Sequence, residues 1–156
     1  MSLNLKTEDL SWEWKSYGRL HRDELYEVLK FRQEIFVVEQ ESWYLDADGL
    51  DPKSLHLLVR NKENLIGYLR LTPPGKKYIE ASIGRVSIHS EYRGEGLGDQ
   101  LLTMGIEKGK EVYGSGEFRI SAQEHLISYY EKHGFKALGS PYDEDGIPHI
   151  EMLLDE

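Results

Sequence analysis

The chain of 156 residues contains no cysteine. Disulfide bridges, thiolate metal sites and a cysteine nucleophile are therefore excluded. The sequence also lacks any apolar run near the roughly 18 residues that a membrane-spanning helix needs, and its first residues lack the apolar core of a signal peptide. These absences predict a cytoplasmic protein with no membrane partner.

Positive charge is scarce, because 19 Lys and Arg stand against 28 Asp and Glu, for a formal net charge of -9. A nucleic-acid-binding protein needs a basic surface that displaces counterions from phosphates. The charge balance argues against that class and suits a cationic partner, although such a net charge mostly serves solubility. The length is typical of one domain, so residues 1–156 are expected to form a single domain.

Apolar patterns of two kinds alternate along the chain and predict the order β-α-(α)-β-β-β-α-β-α-β-β. The first helix carries a stripe at helical spacing that includes Val28, Arg32 and Ile35. The aspartate-rich segment 39–54 predicts a loop with one short helical turn, and the polar stretch between Gly139 and Pro148 predicts another loop. Together these elements predict an α/β (α+β) protein with a mixed sheet and helices on both faces.

A glycine-rich turn stands between a predicted strand, which includes Val86, Ser87 and Ile88, and a long amphipathic helix. Alternating glycines let the backbone pass close to a bulky ligand, and the free N–H groups at the start of a helix attract phosphate oxygens. The turn therefore predicts a phosphate-bearing ligand, although glycines that only shape a turn would give the same pattern. Its residues are Arg93, Gly94, Glu95, Gly96, Leu97 and Gly98, with Asp99 directly after them.

The spacing of the turn excludes two widespread phosphate-binding motifs. A dinucleotide-binding Gly-x-Gly-x-x-Gly sequence that starts at Gly94 would need glycine in place of Asp99. A Walker loop would need a lysine directly after Gly98 or another glycine in that frame, and none is present. What remains is Arg/Gln-x-x-Gly-x-Gly, matched by Arg93, Gly96 and Gly98.

A second block, Tyr130-Glu-Lys-His-Gly134-Phe135, lies at the end of the last predicted helix. A helix cap at Gly134 and core packing of Tyr130 and Phe135 would explain each of these residues by itself. They would not explain why this block follows the glycine-rich turn along the same chain. The two blocks together resemble the GNAT acetyltransferases. From about residue 12 onward the chain also resembles the ElaA branch of that family, through Phe36-Val-Val-Glu-Gln40, Asp48, Asp51, His56, Ala122-Gln-Glu-His125 and Glu144-Asp-Gly-Ile-Pro-His149.

The resemblance implies the fold of acyl-CoA N-acyltransferases, with a mixed, mostly antiparallel sheet of about six or seven strands. It also implies acetyl-CoA as the acetyl donor. The pantetheine arm of the donor would lie beside the backbone of Val86, Ser87 and Ile88, and its pyrophosphate would lie on residues 93–99. The carboxylates of Glu95 and Asp99 are expected to point to solvent, because they repel phosphates.

The implied reaction is direct transfer of the acetyl group, within a ternary complex, to a primary amine that the sequence does not identify. A lysine-like amine has a pKa of roughly 10.4 and must lose a proton before it attacks. The resemblance assigns Tyr130 as the acid that protonates the leaving thiolate, leaves Tyr129 to packing, and lets the backbone N–H of Ile88 polarise the thioester carbonyl.

For the general base, Glu39 and Asp48 are the first candidates, with Glu144 and Asp145 behind them. The alternative for each is a solvated surface carboxylate. The predicted acceptor is a small-molecule or peptide amine. A homodimer is compatible with the resemblance, because GNAT proteins are often dimers.

Two other functions stay open. One is a CoA-binding or interaction module without catalysis on the same fold. The other is a metal-dependent hydrolase built from the Asp- and His-rich loops. None of the six histidines stands in a metal-binding spacing, so no metal is expected.

Overall fold

The computed structural model describes residues 9–155. Its elements follow the predicted order, with one short helix, α3, before the last two strands. They are β1 (Leu10–Ser16), α1 (Arg22–Gln33), β2 (Leu55–Asn61), β3 (Asn64–Thr72), β4 (Ser82–Ile88), α2 (Leu97–Tyr113), β5 (Phe118–Gln123), α3 (Ile127–Glu131), β6 (Lys136–Glu144) and β7 (Ile147–Leu154). A π-helical segment, Glu34–Glu39, extends α1, and one short 3-10 turn, Asp51–Lys53, interrupts the acidic loop.

The strands form two antiparallel sheets, ordered β1-β2-β3-β4 and β5-β7-β6. The sheets meet where Ala81 forms a parallel bridge with Phe118 and the N–H of Arg119 donates to the Ala81 carbonyl at 2.9 Å. Beyond this bridge the described residues form no ladder between β4 and β5, so the two strands diverge and leave a wedge. The predicted mixed, mostly antiparallel sheet is confirmed.

Apolar side chains cover both faces of the first sheet. In β2, Leu57 and Val59 pack with Leu101 of α2, whereas Leu58 packs with Val28 of α1. Successive side chains of a strand point to opposite faces, so a strand covered on both sides reads as a continuous apolar run. The prediction of helices on both faces is confirmed. Within residues 9–155, no helix is long and apolar enough to span a membrane.

The predicted loop between Gly139 and Pro148 is wrong, because these residues belong to a β-hairpin. β6 continues to Glu144 and β7 begins at Ile147. The turn residues Asp145 and Gly146 have φ values of 54° and 82°, as a type I′ turn requires. β6 is an edge strand that is exposed along almost its whole length, so it lacks the alternating pattern of a half-buried strand.

A bulge in β4 lies where the wedge begins. Tyr68 stands opposite Ser87 and Arg70 stands opposite Gly84, so β4 has one residue more than β3 in this interval. Arg85 sits in the bulge with φ 53°, which is uncommon for a residue that carries a Cβ. Its guanidinium donates to the carboxylate of Asp46 at 2.8 Å, and this ion pair stabilises the unusual backbone.

Buried charges tie the acidic loop to the sheet and to α1. Arg32 is fully buried and donates to Asp46 at 2.9 Å and to Asp51 at 2.7 Å. This pairing explains a cation in the apolar stripe of α1, since a buried charge without a partner is strongly unfavourable. We call the whole group the ion cluster; its members are Arg32, Asp46, Asp48, Asp51, Arg70 and Arg85.

Replacing Arg32 with methionine should lower the free energy of unfolding by about 3–5 kcal/mol, because it leaves two buried aspartates short of their countercharge. Arg22→Met is the matched control, since the Arg22 side chain is 96% exposed, and it should change stability by less than about 0.5 kcal/mol. Urea-induced unfolding of both variants measures the difference. Equal stability of the two variants would show that the ion cluster makes no net contribution.

Candidate functional site

A cavity of about 300 Å³ lies in the wedge between β4 and β5. The strand β4 forms one wall, and the π-helical segment, the acidic loop and the β6–β7 hairpin close the other sides. Of the sequence-predicted residues, Asp48, Val86, Tyr130, Glu144 and Asp145 line the cavity, whereas Glu39, Ser87, Ile88 and residues 93–99 do not. The polar and charged lining includes Gln40, Ser42, Tyr44, Asp48, Lys77, Arg85, Ser121, Gln123, Tyr130, Glu144, Asp145 and His149.

The edge of β4 away from β3 carries peptide groups that β3 does not bind. His89 donates its N–H to the carbonyl of Ile66 at 2.8 Å, on the side of β3. Hydrogen bonding alternates along an antiparallel strand, so the N–H of Ile88 points away from β3 and toward the wedge. By the same alternation the peptide groups of Ser87 serve the pairing with β3. Ile88 is therefore better placed than Ser87 to bind an extended ligand or to polarise a carbonyl.

The glycine-rich turn leads from β4 into α2. Gly96 precedes the first helical residue with φ 83°, a left-handed conformation that glycine adopts at little cost. The N–H groups of Leu97, Gly98 and Asp99 belong to the first turn of α2, where no acceptor within the helix is available. These groups and the positive end of the helix dipole can bind the oxygens of a phosphate.

The charged side chains of the turn have partners within the protein. Arg93 donates to both oxygens of Glu39, at 3.0 and 2.7 Å, and this contact lowers the pKa of Glu39. Glu95 is exposed, as expected. Asp99 is half-exposed but turns toward the end of α3, where its carboxylate lies 2.9 Å from Nε2 of His133. The Asp99 side chain keeps 48% of its surface exposed, in line with the expectation, while His133 holds its carboxylate.

The two adjacent tyrosines of α3 have different surroundings. Tyr129 donates its hydroxyl to the carbonyl oxygen of Gly98 at 2.5 Å and so braces the first turn of α2. Tyr130 lines the cavity, and its hydroxyl has no hydrogen-bond partner in residues 9–155. Burial raises the pKa of Tyr130 to about 12, which keeps this hydroxyl protonated and able to donate. The geometry supports Tyr130, not Tyr129, as a proton donor in the cavity.

Asp48 has a role different from the one predicted. Its two carboxylate oxygens accept hydrogen bonds from Arg70 at 2.8 and 2.7 Å. Although burial acts in the opposite direction, the guanidinium holds the pKa of Asp48 well below its ordinary value. A carboxylate held in this way accepts a proton from an amine poorly. The structure thus argues against Asp48 as the base and favours a role in fixing the acidic loop.

Glu39 also fits the role of base poorly. It stands at the end of the π-helical segment, outside the residues that line the cavity, and both of its carboxylate oxygens are held by Arg93. The predicted base and the predicted phosphate-binding arginine therefore neutralise each other in this structure.

Glu144 and His149 form a pair in the wall of the cavity. Glu144 lies opposite Ile147 in the hairpin, so His149, two residues further on, shares its face. The two side chains approach to 3.2 Å between Oε2 and Nε2, and Ser121 donates to the other carboxylate oxygen at 3.2 Å. Nδ1 of His149 lies 2.8 Å from the Ile147 carbonyl, which can only accept, so Nδ1 carries a proton. In the neutral ring Nε2 then carries the lone pair, so it can accept a proton beside the Glu144 carboxylate.

From the sequence, Glu144 ranks behind two other carboxylates as a base, and His149 has no predicted part in the chemistry. The signal that could have found the pair is Asp145-Gly146, a hairpin turn that brings the flanking residues onto one face. Within residues 9–155, no group of three His, Asp or Glu side chains is arranged to hold a metal ion.

Comparison with known proteins agrees with the motifs in this site. Residues 22–156 match the family described as Acetyltransferase (GNAT) domain. The chain is 42% identical over 147 residues to a UPF0039 protein of Synechocystis. The aligned region covers 94% of this chain and 96% of that protein.

Two crystal structures share the fold along nearly the whole chain. An acyl-CoA N-acyltransferase from Pseudomonas aeruginosa has a TM-score of 0.88 and 39% identity, covering 93% of this chain and 99% of that one. Escherichia coli ElaA has a TM-score of 0.87 and 32% identity, covering 94% and 99%. The chain therefore belongs to the GNAT acetyltransferase family, whose members transfer acyl groups from CoA to an acceptor, and it is an ElaA-like member of that family.

Proposed function

We propose that the protein transfers the acetyl group of acetyl-CoA to a primary amine by direct attack within a ternary complex. The observation that carries this proposal is the unbonded hydroxyl of Tyr130, which lines the cavity together with Val86 on the open edge of β4. A module that only binds CoA has no need of a proton donor there. The N-acyltransferase title of the Pseudomonas relative supports the same class of reaction.

The residues along β4 and the turn fit acetyl-CoA. The peptide groups of Val86, on the open edge of β4, can pair with an amide of the pantetheine arm. Arg93 and the first turn of α2 can bind the pyrophosphate, with Arg93 exchanging the carboxylate of Glu39 for a phosphate. This arrangement leaves the thioester beside Tyr130 and the rest of the cavity open to the acceptor.

The chemistry needs one base, one acid and one polarising group. The Glu144–His149 pair accepts a proton from the amine, whose nitrogen then bonds to the thioester carbonyl carbon. The N–H of Ile88 stabilises the negative charge that develops on the carbonyl oxygen. The carbon–sulfur bond breaks, Tyr130 donates its proton to the thiolate, and the newly bonded nitrogen gives up its second proton, through solvent, to the Tyr130 oxygen. The pair returns its own proton to solvent. The products are the acetylated amine and CoA.

Alanine at Gly96 should weaken acetyl-CoA binding at least tenfold, because a Cβ enters the surface on which the pyrophosphate is proposed to lie. Gly114→Ala is the matched control, since both glycines flank α2 with left-handed φ values of 83° and 70° and both have open space around an added Cβ. Both variants should lose about 1 kcal/mol or more of stability from the backbone conformation.

Calorimetric titration with acetyl-CoA compares the affinities of the two variants. Equal affinities would show that the turn has been assigned to the wrong part of the donor.

Phenylalanine at position 130 should lower kcat by roughly 10²- to 10⁴-fold, because it removes a general acid and keeps the ring. Acetyl-CoA affinity should be retained. Tyr129→Phe, the adjacent control, removes the bond to the Gly98 carbonyl and should change kcat by less than tenfold. CoA release with a panel of amines gives the rates for wild type and both variants.

Full activity of Tyr130→Phe would assign the proton to water. Tight acetyl-CoA binding by the wild type without CoA release from any amine would favour the non-catalytic module.

Neutralising Glu144 with glutamine should lower kcat/KM for the amine by roughly 10²-fold or more, because the pair with His149 loses its anionic member. Acetyl-CoA affinity should stay unchanged. Glu39→Gln is the control; it frees Arg93 and should leave kcat near the wild-type value while acetyl-CoA affinity rises. Steady-state kinetics on both variants separates the two carboxylates. A large loss of kcat in Glu39→Gln alone would restore Glu39 as the base.

A further inference from the structure

Lys77 places a cation in the wall of the cavity that the proposed chemistry does not use. It lies in the loop between β3 and β4 and lines the same cavity as Tyr130 and Glu144. The ring of Tyr78 lies 5.5 Å from its ammonium, and within residues 9–155 Lys77 forms no ion pair. Arg85, the other cation of the cavity, is held by Asp46 at 2.8 Å. Among the described residues, the ammonium of Lys77 thus contacts an aromatic ring but has no carboxylate as an ion-pair partner.

The position of Lys77 separates it from the phosphates of the donor. The turn proposed to bind the pyrophosphate follows the last residue of β4, whereas Lys77 precedes the first. β4 has seven residues, which extend over about 20 Å. The ammonium of Lys77 therefore faces the part of the cavity that is left to the acceptor.

The cavity thus presents charges of both signs to an acceptor. Glu144 is near enough to attract the ammonium of Lys77 electrostatically, yet it makes its closest contacts with His149 and Ser121. The side chain of Lys77 is exposed to solvent, so a ligand that enters the cavity can reach its ammonium. A molecule with an amine at one end and an acid at the other matches both charges.

We propose that the acceptor is an amino acid or a closely similar amine that carries a carboxylate, and that Lys77 binds this carboxylate. The amine then lies toward Glu144 and Tyr130, where the proposed chemistry occurs. Phe36 and Leu126 in the same wall can contact an apolar side chain. This inference rests on the proposed function and specifies the class of its acceptor.

The test compares each proteinogenic amino acid with its primary amide and with its decarboxylated amine as acceptors, by CoA release. The preferred amino acid should exceed both analogues by roughly 10- to 100-fold in kcat/KM, the range expected for a hydrogen bond to a charged group. Lys77→Met should bring this ratio close to one, and Lys77→Glu should reverse it. Lys76→Met, which alters a neighbouring lysine outside the cavity wall, should keep the wild-type ratio.

The outcomes separate this inference from the function on which it rests. Turnover of amines with no preference for a carboxylate would overturn the inference alone, as would a preference that survives in Lys77→Met. Absence of turnover with every amine, while acetyl-CoA still binds, would overturn the proposed function itself and the inference with it.

Discussion

The ion pair between Arg85 and Asp46 is the contact on which the shape of the cavity depends. It holds a residue with a side chain in the left-handed region and so maintains the bulge in β4. The bulge lies where β4 leaves β5, and the same aspartate binds Arg32 of α1. One carboxylate thereby links α1, the acidic loop and the diverging strand. The cavity thus opens where β4 and β5 lose their ladder and charged side chains take its place.

The sequence predicted those features that depend on neighbours along the chain. The continuous apolar run Leu57–Val59 indicates that both faces of β2 are covered by other elements. The glycine at position 96 indicates a backbone conformation that only glycine adopts readily. The pairing of Asp48 could not be predicted, because its partner, Arg70, lies on a strand 22 residues away. The contact of Glu144 with His149 was also missed, since it depends on a hairpin whose exposed strand shows no alternation. A carboxylate whose function depends on a partner in the fold cannot be ranked as a candidate base until that partner is known.

The two tyrosines show how one short helix serves both halves of the site. Adjacent residues of a helix point about 100° apart, so Tyr129 and Tyr130 cannot face the same way. Tyr129 fixes the first turn of α2 through the Gly98 carbonyl, whereas Tyr130 faces the cavity. The turn proposed to bind phosphate and the proposed acid are therefore both positioned by adjacent residues of α3. A shift of α3 would disturb both at once.

The contact between Arg93 and Glu39 has a consequence for the effect of ionic strength. A phosphate that binds Arg93 must displace a carboxylate already present there, so one attraction is exchanged for another. Salt screens the pair of Arg93 with Glu39, because both side chains are partly exposed to solvent, and it would screen a pair of Arg93 with phosphate as well. The two effects would partly cancel, so binding of an anionic donor at Arg93 would depend less on salt than the charge of the donor implies. Glu39 would in this way make that binding less sensitive to ionic strength.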